Sequence, residues 1–323
     1  MKVLVTGGAG YIGSACVEAL ISQGHKVAVY DNLSEGHQAA VHPEAHFVKG
    51  CLSQPDSVNS LFTEFAPEVV IHFAASALVG ESMTNPGKYF SNNVANGVRL
   101  LDSCVQHGVR KIVFSSTCAT YGIPKNVPIT EDTPQAPINP YGESKLMFER
   151  CLRWYNKIHG LEYVAFRYFN ACGATPRFGE HHRIETHLIP NILKVALGQK
   201  ASCSIFGTDY PTPDGTCIRD YIHIQDLASA HILAANSSVS GFYNLGTGSG
   251  YSVREVIQAC QEVTGAEIPV VEEARRAGDP PELVAAPSAA RDTFHWTPDF
   301  TDITRIVESA WNWHQANPNG YAD

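Results

Sequence analysis

Short apolar, β-branched runs alternate with amphipathic stretches through the first half of the chain. Residues Lys2–Thr6, 26–30, His46–Lys49, 69–73, 111–115 and 162–167 have the length and composition of strands, and each is followed by an amphipathic segment or a loop. Alternation of this kind predicts an α/β fold with a Rossmann-type, doubly wound parallel sheet. Beyond about Asn170 the texture changes: irregular loops rich in Gly, Pro and Thr occupy 207–216, 246–250 and 275–281, and helices are predicted over 225–236, 252–264 and 301–314. The expectation is one lobe over 1–170, with some later segments returning to it, and a smaller C-terminal α/β lobe over 171–323. Loops of such length on a compact lobe commonly carry binding.

The first strand runs directly into Gly7-Gly8-Ala9-Gly10-Tyr11-Ile12-Gly13, with a helix predicted over 11–23. A glycine pattern is weak alone, but here it lies in the strand-turn-helix context that a dinucleotide site requires. The glycines let backbone approach a pyrophosphate, and the helix N-terminus offers free N–H groups to it. Asp31 ends the second strand, where a carboxylate accepts both ribose hydroxyls and repels a 2′-phosphate. No arginine follows it before His37, so NAD is favoured over NADP. A strand-end turn would also suit Asp31.

Tyr-x-x-x-Lys occurs twice, as Tyr121-Gly-Ile-Pro-Lys125 and Tyr141-Gly-Glu-Ser-Lys145. Gly122 and Pro124 forbid a continuous helix in the first. The second follows Asn139-Pro140, a helix start, so Tyr141 and Lys145 share one face. A tyrosine with a free pKa of about 10 needs nearby positive charge to act as a base near neutrality, and Lys145 is placed to supply it.

The chain has 323 residues and a net charge of 23 − 32 = −9, with no basic run suited to nucleic acid. No apolar stretch approaches 18 residues and residues 1–5 lack a signal-peptide core, so a soluble cytoplasmic protein without membrane association is expected. Nine scattered cysteines, none in a Cys-x-x-Cys pair, read as reduced thiols. His181-His182 and His187 lack the i, i+4 helical pairing with a carboxylate typical of zinc sites, and no metal is expected.

Taken in order, Thr6-Gly-Gly-Ala-Gly-Tyr-Ile-Gly13, Asp31-Asn32, Phe73-Ala-Ala75, Asn92-Asn-Val94, Ser115-Ser-Thr117, Tyr141-Gly-Glu-Ser-Lys145, Arg167-Tyr-Phe-Asn170, Arg219-Asp-Tyr-Ile-His223 and Gly278-Asp279 make the chain resemble the UDP-glucose 4-epimerase family. That family belongs to the extended short-chain dehydrogenases/reductases. The resemblance covers nearly the whole chain and implies epimerisation at carbon 4 of a UDP-hexose, through a transient 4-keto sugar beside a tightly bound NAD. It makes Thr117, Tyr141 and Lys145 catalytic. Cofactor contacts fall on Gly7, Gly10, Tyr11, Ile12, Gly13, Asp31, Asn32, Leu33, Cys51, Leu52, Phe73, Ala74, Ala75, Asn93, Ser115, Tyr141, Lys145 and Tyr168. Substrate contacts fall on Thr117, Tyr141, Asn170, His187, Leu188, Phe206, Arg219, Arg276, Asp279 and Leu283, the two arginines suiting a diphosphate. A homodimer through helices near 92–107 and 141–159 is also implied.

Three positions depart from the family's pattern. Cys51 stands where many members carry an adenine-binding aspartate, which predicts looser adenine recognition. Ala77 stands where some have a lysine near the pyrophosphate. Leu283 occupies the position whose bulk admits or excludes a 2-acetamido group, so turnover of UDP-N-acetylglucosamine is expected beside UDP-glucose. The alternatives are a 4-epimerase of a UDP-pentose or UDP-uronate and a non-catalytic NAD-sensing module. A 4,6-dehydratase is disfavoured, because Cys118-Ala119 replaces the Asp-Glu pair which that reaction needs.

Overall fold

The structure, a computed structural model, describes residues 1–276 and 278–322. The first lobe runs β1 (Lys2–Thr6), α1 (Tyr11–Ser22), β2 (Lys26–Asp31), β3 (His46–Lys49), α2 (Pro55–Phe65), β4 (Val69–His72), α3 (Val79–Ser82), α4 (Pro86–Tyr89), α5 (Asn96–Gln106), β5 (Lys111–Thr117), α6 (Pro140–His159) and β6 (Glu162–Tyr168). There follow β7 (Asn170–Cys172), α7 (Leu188–Ala196), β8 (Cys203–Phe206), β9 (Ile218–His223), α8 (Ile224–Asn236), β10 (Gly241–Leu245), β11 (Gly250–Ser252), α9 (Val253–Thr264), β12 (Val270–Glu273), β13 (Glu282–Leu283), α10 (Ser288–Phe294) and α11 (Ile303–Ala316).

Seven parallel strands form the main sheet in the order β10-β6-β5-β4-β1-β2-β3. The β-branched runs become its strands because both faces are covered. Val3 and Val5 point into one core with Val17 and Leu20 of α1 and Leu227 of α8, while Leu4 between them points into the other with Leu61, Leu101 and Phe148. β10 and α8 lie beyond residue 171 yet pack into this layer.

The second lobe holds a small sheet in which β9 pairs with β7, β11 and β13, and a separate β8–β12 pair. Its core is closed by Ile192 of α7, Val256 of α9 and Ile306 of α11. Of the irregular segment 275–281, Ala277 lies outside the described residues.

One local feature had no sequence signal. Phe90–Ala95 is a single π-helical turn joining α4 to α5, and such turns frequently mark functional positions. The carboxyl ends of β1, β2, β4, β5 and β6 all open on one side of the sheet, where ligands of doubly wound folds bind.

Candidate active site

The glycine turn is built around contacts that no side chain would allow. Gly7 has φ of 74°, and a Cβ there would meet the Ala74 backbone nitrogen at 2.5 Å; one on Gly13 would meet the Gly7 carbonyl oxygen at 2.1 Å. Gly10 is the N-cap of α1 and gives no side-chain cap, so the helix's leading N–H groups remain available to an anion. Asp31, 8% exposed, accepts hydrogen bonds from the N–H of Ala9 at 3.1 Å and of Leu33 at 2.8 Å. Burial raises its pKa and those N–H groups oppose the rise. The carboxylate is thus locked to the glycine turn. This cradle fits a dinucleotide: backbone stands where a pyrophosphate needs close approach, and an acid stands at the ribose position.

Further round the pocket, Phe73 and Ala74 donate their N–H groups to the Thr6 carbonyl at 2.9 and 3.1 Å, which ties this segment against the turn. Cys51 accepts from the Ser53 hydroxyl at 3.0 Å. Burial raises its pKa, but hydrogen bonds from Ser53 and the Asn32 side chain outweigh that and lower it. Asn93, within the π-helical turn, spends its amide on protein. It accepts from the N–H of Ser76 at 2.8 Å and donates to the Ser76 carbonyl and the Ser144 hydroxyl, both at 3.0 Å. It therefore fastens the 73–76 segment to α6, a role its sequence position does not disclose. Tyr168 donates to Nε2 of His231 at 2.6 Å, because His231 Nδ1–H already donates to the Leu227 carbonyl at 2.7 Å.

Asn139 caps α6 by accepting from the N–H of Gly142 at 2.8 Å, and Pro140 opens the helix, so Tyr141 and Lys145 emerge on one face. Lys145 is 2% exposed; its ammonium donates to the Ser115 carbonyl at 2.7 Å and lies 5.9 Å from the Tyr141 ring centroid. Thr117, the last residue of β5, is buried at its side. Burial pushes the Tyr141 phenol up to about 12, with a hydrogen bond to Thr117 working against it. Burial also lowers Lys145 to about 7, opposed by Glu149 one turn further along α6. The other Tyr-x-x-x-Lys pair separates as expected. Gly122 turns at φ of 65°, Lys125 is exposed, and Tyr121 is buried in a hydrogen bond to Asn244 at 2.8 Å.

The second lobe gathers most of the remaining candidates. β9 and β13 set Arg219 beside Leu283 in register, and Leu283 packs against the buried cluster of Tyr121, Ile129, Phe169 and Ala285, as does Cys118, the neighbour of Thr117. Arg219 is paired with Asp279 and also donates to the Pro280 carbonyl at 2.9 Å. Its charge is therefore already balanced within the protein. The Arg276 guanidinium stacks 3.9 Å from the Phe206 ring centroid. Asn170 lies on β7, His187 is the N-cap of α7 and Leu188 its first residue. Burial lowers the pKa of His187, but Glu180 and then Glu185 more than offset this and raise it.

Sequence reasoning missed Glu149. Its buried carboxylate accepts from Arg167 Nε at 3.0 Å and Nη2 at 2.8 Å, from Ser116 at 2.5 Å and from Gln135 at 3.0 Å. The available signal was a glutamate on the apolar face of an amphipathic helix, four residues after Lys145.

A model of the NAD dependent epimerase/dehydratase family matches residues 3–246. The UDP-glucose 4-epimerase of Streptococcus mutans serotype c is 51% identical, the match covering 100% of this chain and 99% of that protein. A crystal structure of a UDP-glucose 4-epimerase superposes with a TM-score of 0.98 at 49% identity, covering all of both chains. The UDP-glucose 4-epimerase from Bifidobacterium longum, solved in complex with NAD+ and UDP, superposes with a TM-score of 0.95 at 38% identity, covering 99% of this chain and 100% of that one.

Proposed function

The chain belongs to the NAD dependent epimerase/dehydratase family, and on that premise we infer that it reversibly inverts carbon 4 of a UDP-hexose, interconverting UDP-glucose and UDP-galactose. The observation that carries this reading is the convergence of Thr117, Tyr141 and Lys145 at the carboxyl end of β5, on the side of the sheet where the glycine turn and Asp31 form the dinucleotide cradle. NAD, when bound, supplies a hydride acceptor and donor for carbon 4 and a positive charge near the phenol, so the reaction has no net redox change.

Tyr141 takes the proton of the 4-hydroxyl and later returns it, acting as base and then as acid. With its phenol at about 12 in the protein alone, it rests protonated and needs added positive charge to ionise. Lys145 contributes that charge while Ser115 holds its ammonium in place, and Glu149 favours the charged lysine. The Thr117 hydroxyl lies where it can share a hydrogen bond with both the phenol and the sugar hydroxyl, which eases proton transfer. Arg276, stacked on Phe206, and the Arg219–Asp279 pair suit the diphosphate and uridine. Because Asp279 balances Arg219, Arg276 brings the uncompensated charge.

Two copies pairing through α5 and α6 is supported by Met147, Trp154 and Ile158, exposed along α6. No described helix is long and apolar enough to cross a membrane, and nine free cysteines suit the reducing cytoplasm.

The test is to incubate the purified protein, without added NAD, with UDP-galactose, UDP-N-acetylgalactosamine and UDP-arabinose and to identify the products. UDP-glucose formed from UDP-galactose supports the reading. Product from UDP-arabinose alone would transfer the activity to pentoses, and no product from any sugar would favour a non-catalytic NAD-binding module.

A further inference from the structure

We propose that Glu180, His182, Glu185 and His187 form a zinc site at the junction of the two lobes. They come from the segment that precedes α7, and each offers one ligand atom; these four atoms all lie within 4.8 Å of one another, the single such group among the described residues. Glu180 Oε1 is 3.1 Å from His182 Nε2 and 2.9 Å from His187 Nδ1, and that same Nδ1 is 3.1 Å from Glu185 Oε1. Tetrahedral zinc, with bonds of about 2.0–2.1 Å to nitrogen and oxygen, sets neighbouring ligands about 3.3 Å apart. The donors are therefore already near the spacing the ion requires.

Charge adds to the geometry, since a divalent ion can take the place that the His187 imidazole holds between the two carboxylates, 2.9 and 3.1 Å from them. The side chains of Glu180 and Glu185 are only 6% and 4% exposed, and two adjacent buried carboxylates are costly unless positive charge lies between them. A divalent cation at the common point balances both and leaves both imidazoles neutral, the form in which histidine binds metal. The donor set of two nitrogens and two oxygens suits zinc, whereas calcium and magnesium prefer all-oxygen shells and copper(I) prefers sulfur. His182 and His187 are 26% and 51% exposed, which leaves an entry path from solvent.

Neighbouring groups orient the donors. The His187 N–H donates to Glu185 Oε1 at 2.8 Å, and Asn191 of α7 donates to the Glu185 carbonyl at 3.4 Å. The Tyr11 ring, at the start of α1, meets the His182 ring edge to face with centroids 6.1 Å apart. A bound ion would therefore join the glycine-turn helix of one lobe to the first turn of α7 in the other.

The experiment uses the full chain with its resident cofactor, treated with EDTA, exchanged into metal-free buffer and titrated with ZnCl2. Metal is counted by mass spectrometry after gel filtration, and parallel samples receive Co2+. About one zinc per chain and the visible bands of tetrahedral Co2+ are expected. His182→Ala, a change at a partly exposed position, should lower zinc affinity by about 100-fold or more and abolish the Co2+ bands, with circular dichroism and bound NAD unchanged. His46→Ala, at an exposed histidine far from the cluster, should bind as the unaltered protein does. Less than stoichiometric zinc in the unaltered protein, or unchanged zinc and Co2+ signals in His182→Ala, overturns the proposal.

Discussion

Replacing Glu149 by Gln would strip the counter-ion from Arg167 while barely changing side-chain volume. Both side chains are about 2% exposed, and the carboxylate accepts two hydrogen bonds from the guanidinium and one each from Ser116 and Gln135. A glutamine keeps one acceptor oxygen and turns an NH2 toward donors, so at least one charge-assisted bond worth about 1.5–3 kcal/mol is lost. The guanidinium is also left buried and unpaired, which brings the expected total to about 3–5 kcal/mol. At about 2 °C per kcal/mol for a chain of this size, the thermal midpoint should fall by about 6–10 °C. The measurement is a thermal and urea melt of four proteins: the unaltered chain, Glu149→Gln, Arg167→Met, and the double change Glu149→Gln with Arg167→Met. Removing both charges should recover at least about 2 kcal/mol relative to the sum of the single losses. A loss below about 1 kcal/mol in Glu149→Gln, or strict additivity in the double variant, would refute the reasoning. Activity should fall as well, because Ser116 adjoins Thr117 and Glu149 supports the charge on Lys145.

Tyr141→Phe should retain bound NAD and lose turnover of UDP-galactose by about 10²–10⁴-fold or more; full activity would remove Tyr141 from the mechanism. The unaltered protein should turn over UDP-N-acetylgalactosamine, and Leu283→Tyr should suppress that turnover while sparing UDP-galactose. Undetectable acetamido turnover in the unaltered protein sinks the role given to Leu283. Cys51→Asp should slow release of NAD in a stripping assay, and an unchanged release rate would show that Cys51 does not weaken adenine recognition. In protein freed of dinucleotide, burial holds Lys145 at about 7 against 10.5 unfolded. Between those values the unfolded chain binds a proton that the native chain does not, so unfolding free energy rises with pH from about 7 and levels off near 10.5. Lys145→Met should flatten that rise in urea midpoints between about pH 7 and 8, below the range in which buried Lys111, lowered to about 8, adds its own, and should abolish activity; an unchanged slope there would contradict it.

By itself the sequence determined the alternation of strands and helical segments in the first half of the chain, the glycine turn with its acid, and which of two Tyr-x-x-x-Lys pairs is helical. These are local matters. β-branched runs between amphipathic segments leave few options for a buried parallel sheet, Gly7 and Gly13 sit where side chains would collide, and Asn139-Pro140 starts a helix where Gly122 and Pro124 prevent one. Tertiary structure alone decided what depends on segments far apart in the chain. Asn93 is expected from the resemblance to touch the cofactor, and folding also places Ser76 and Ser144 within reach of its amide. Arg219 and Asp279, both expected to contact substrate, are 60 residues apart in the chain, and only the fold shows that they pair with each other. Glu149 became the centre of a buried network because β6 runs beside β5, which aligns Arg167 with Ser116. His182 and His187 lacked helical metal spacing, yet an irregular loop folds Glu180 and Glu185 onto them. Periodicity reports which face of an element is buried, whereas the partners that a buried polar group meets are set only when distant elements pack.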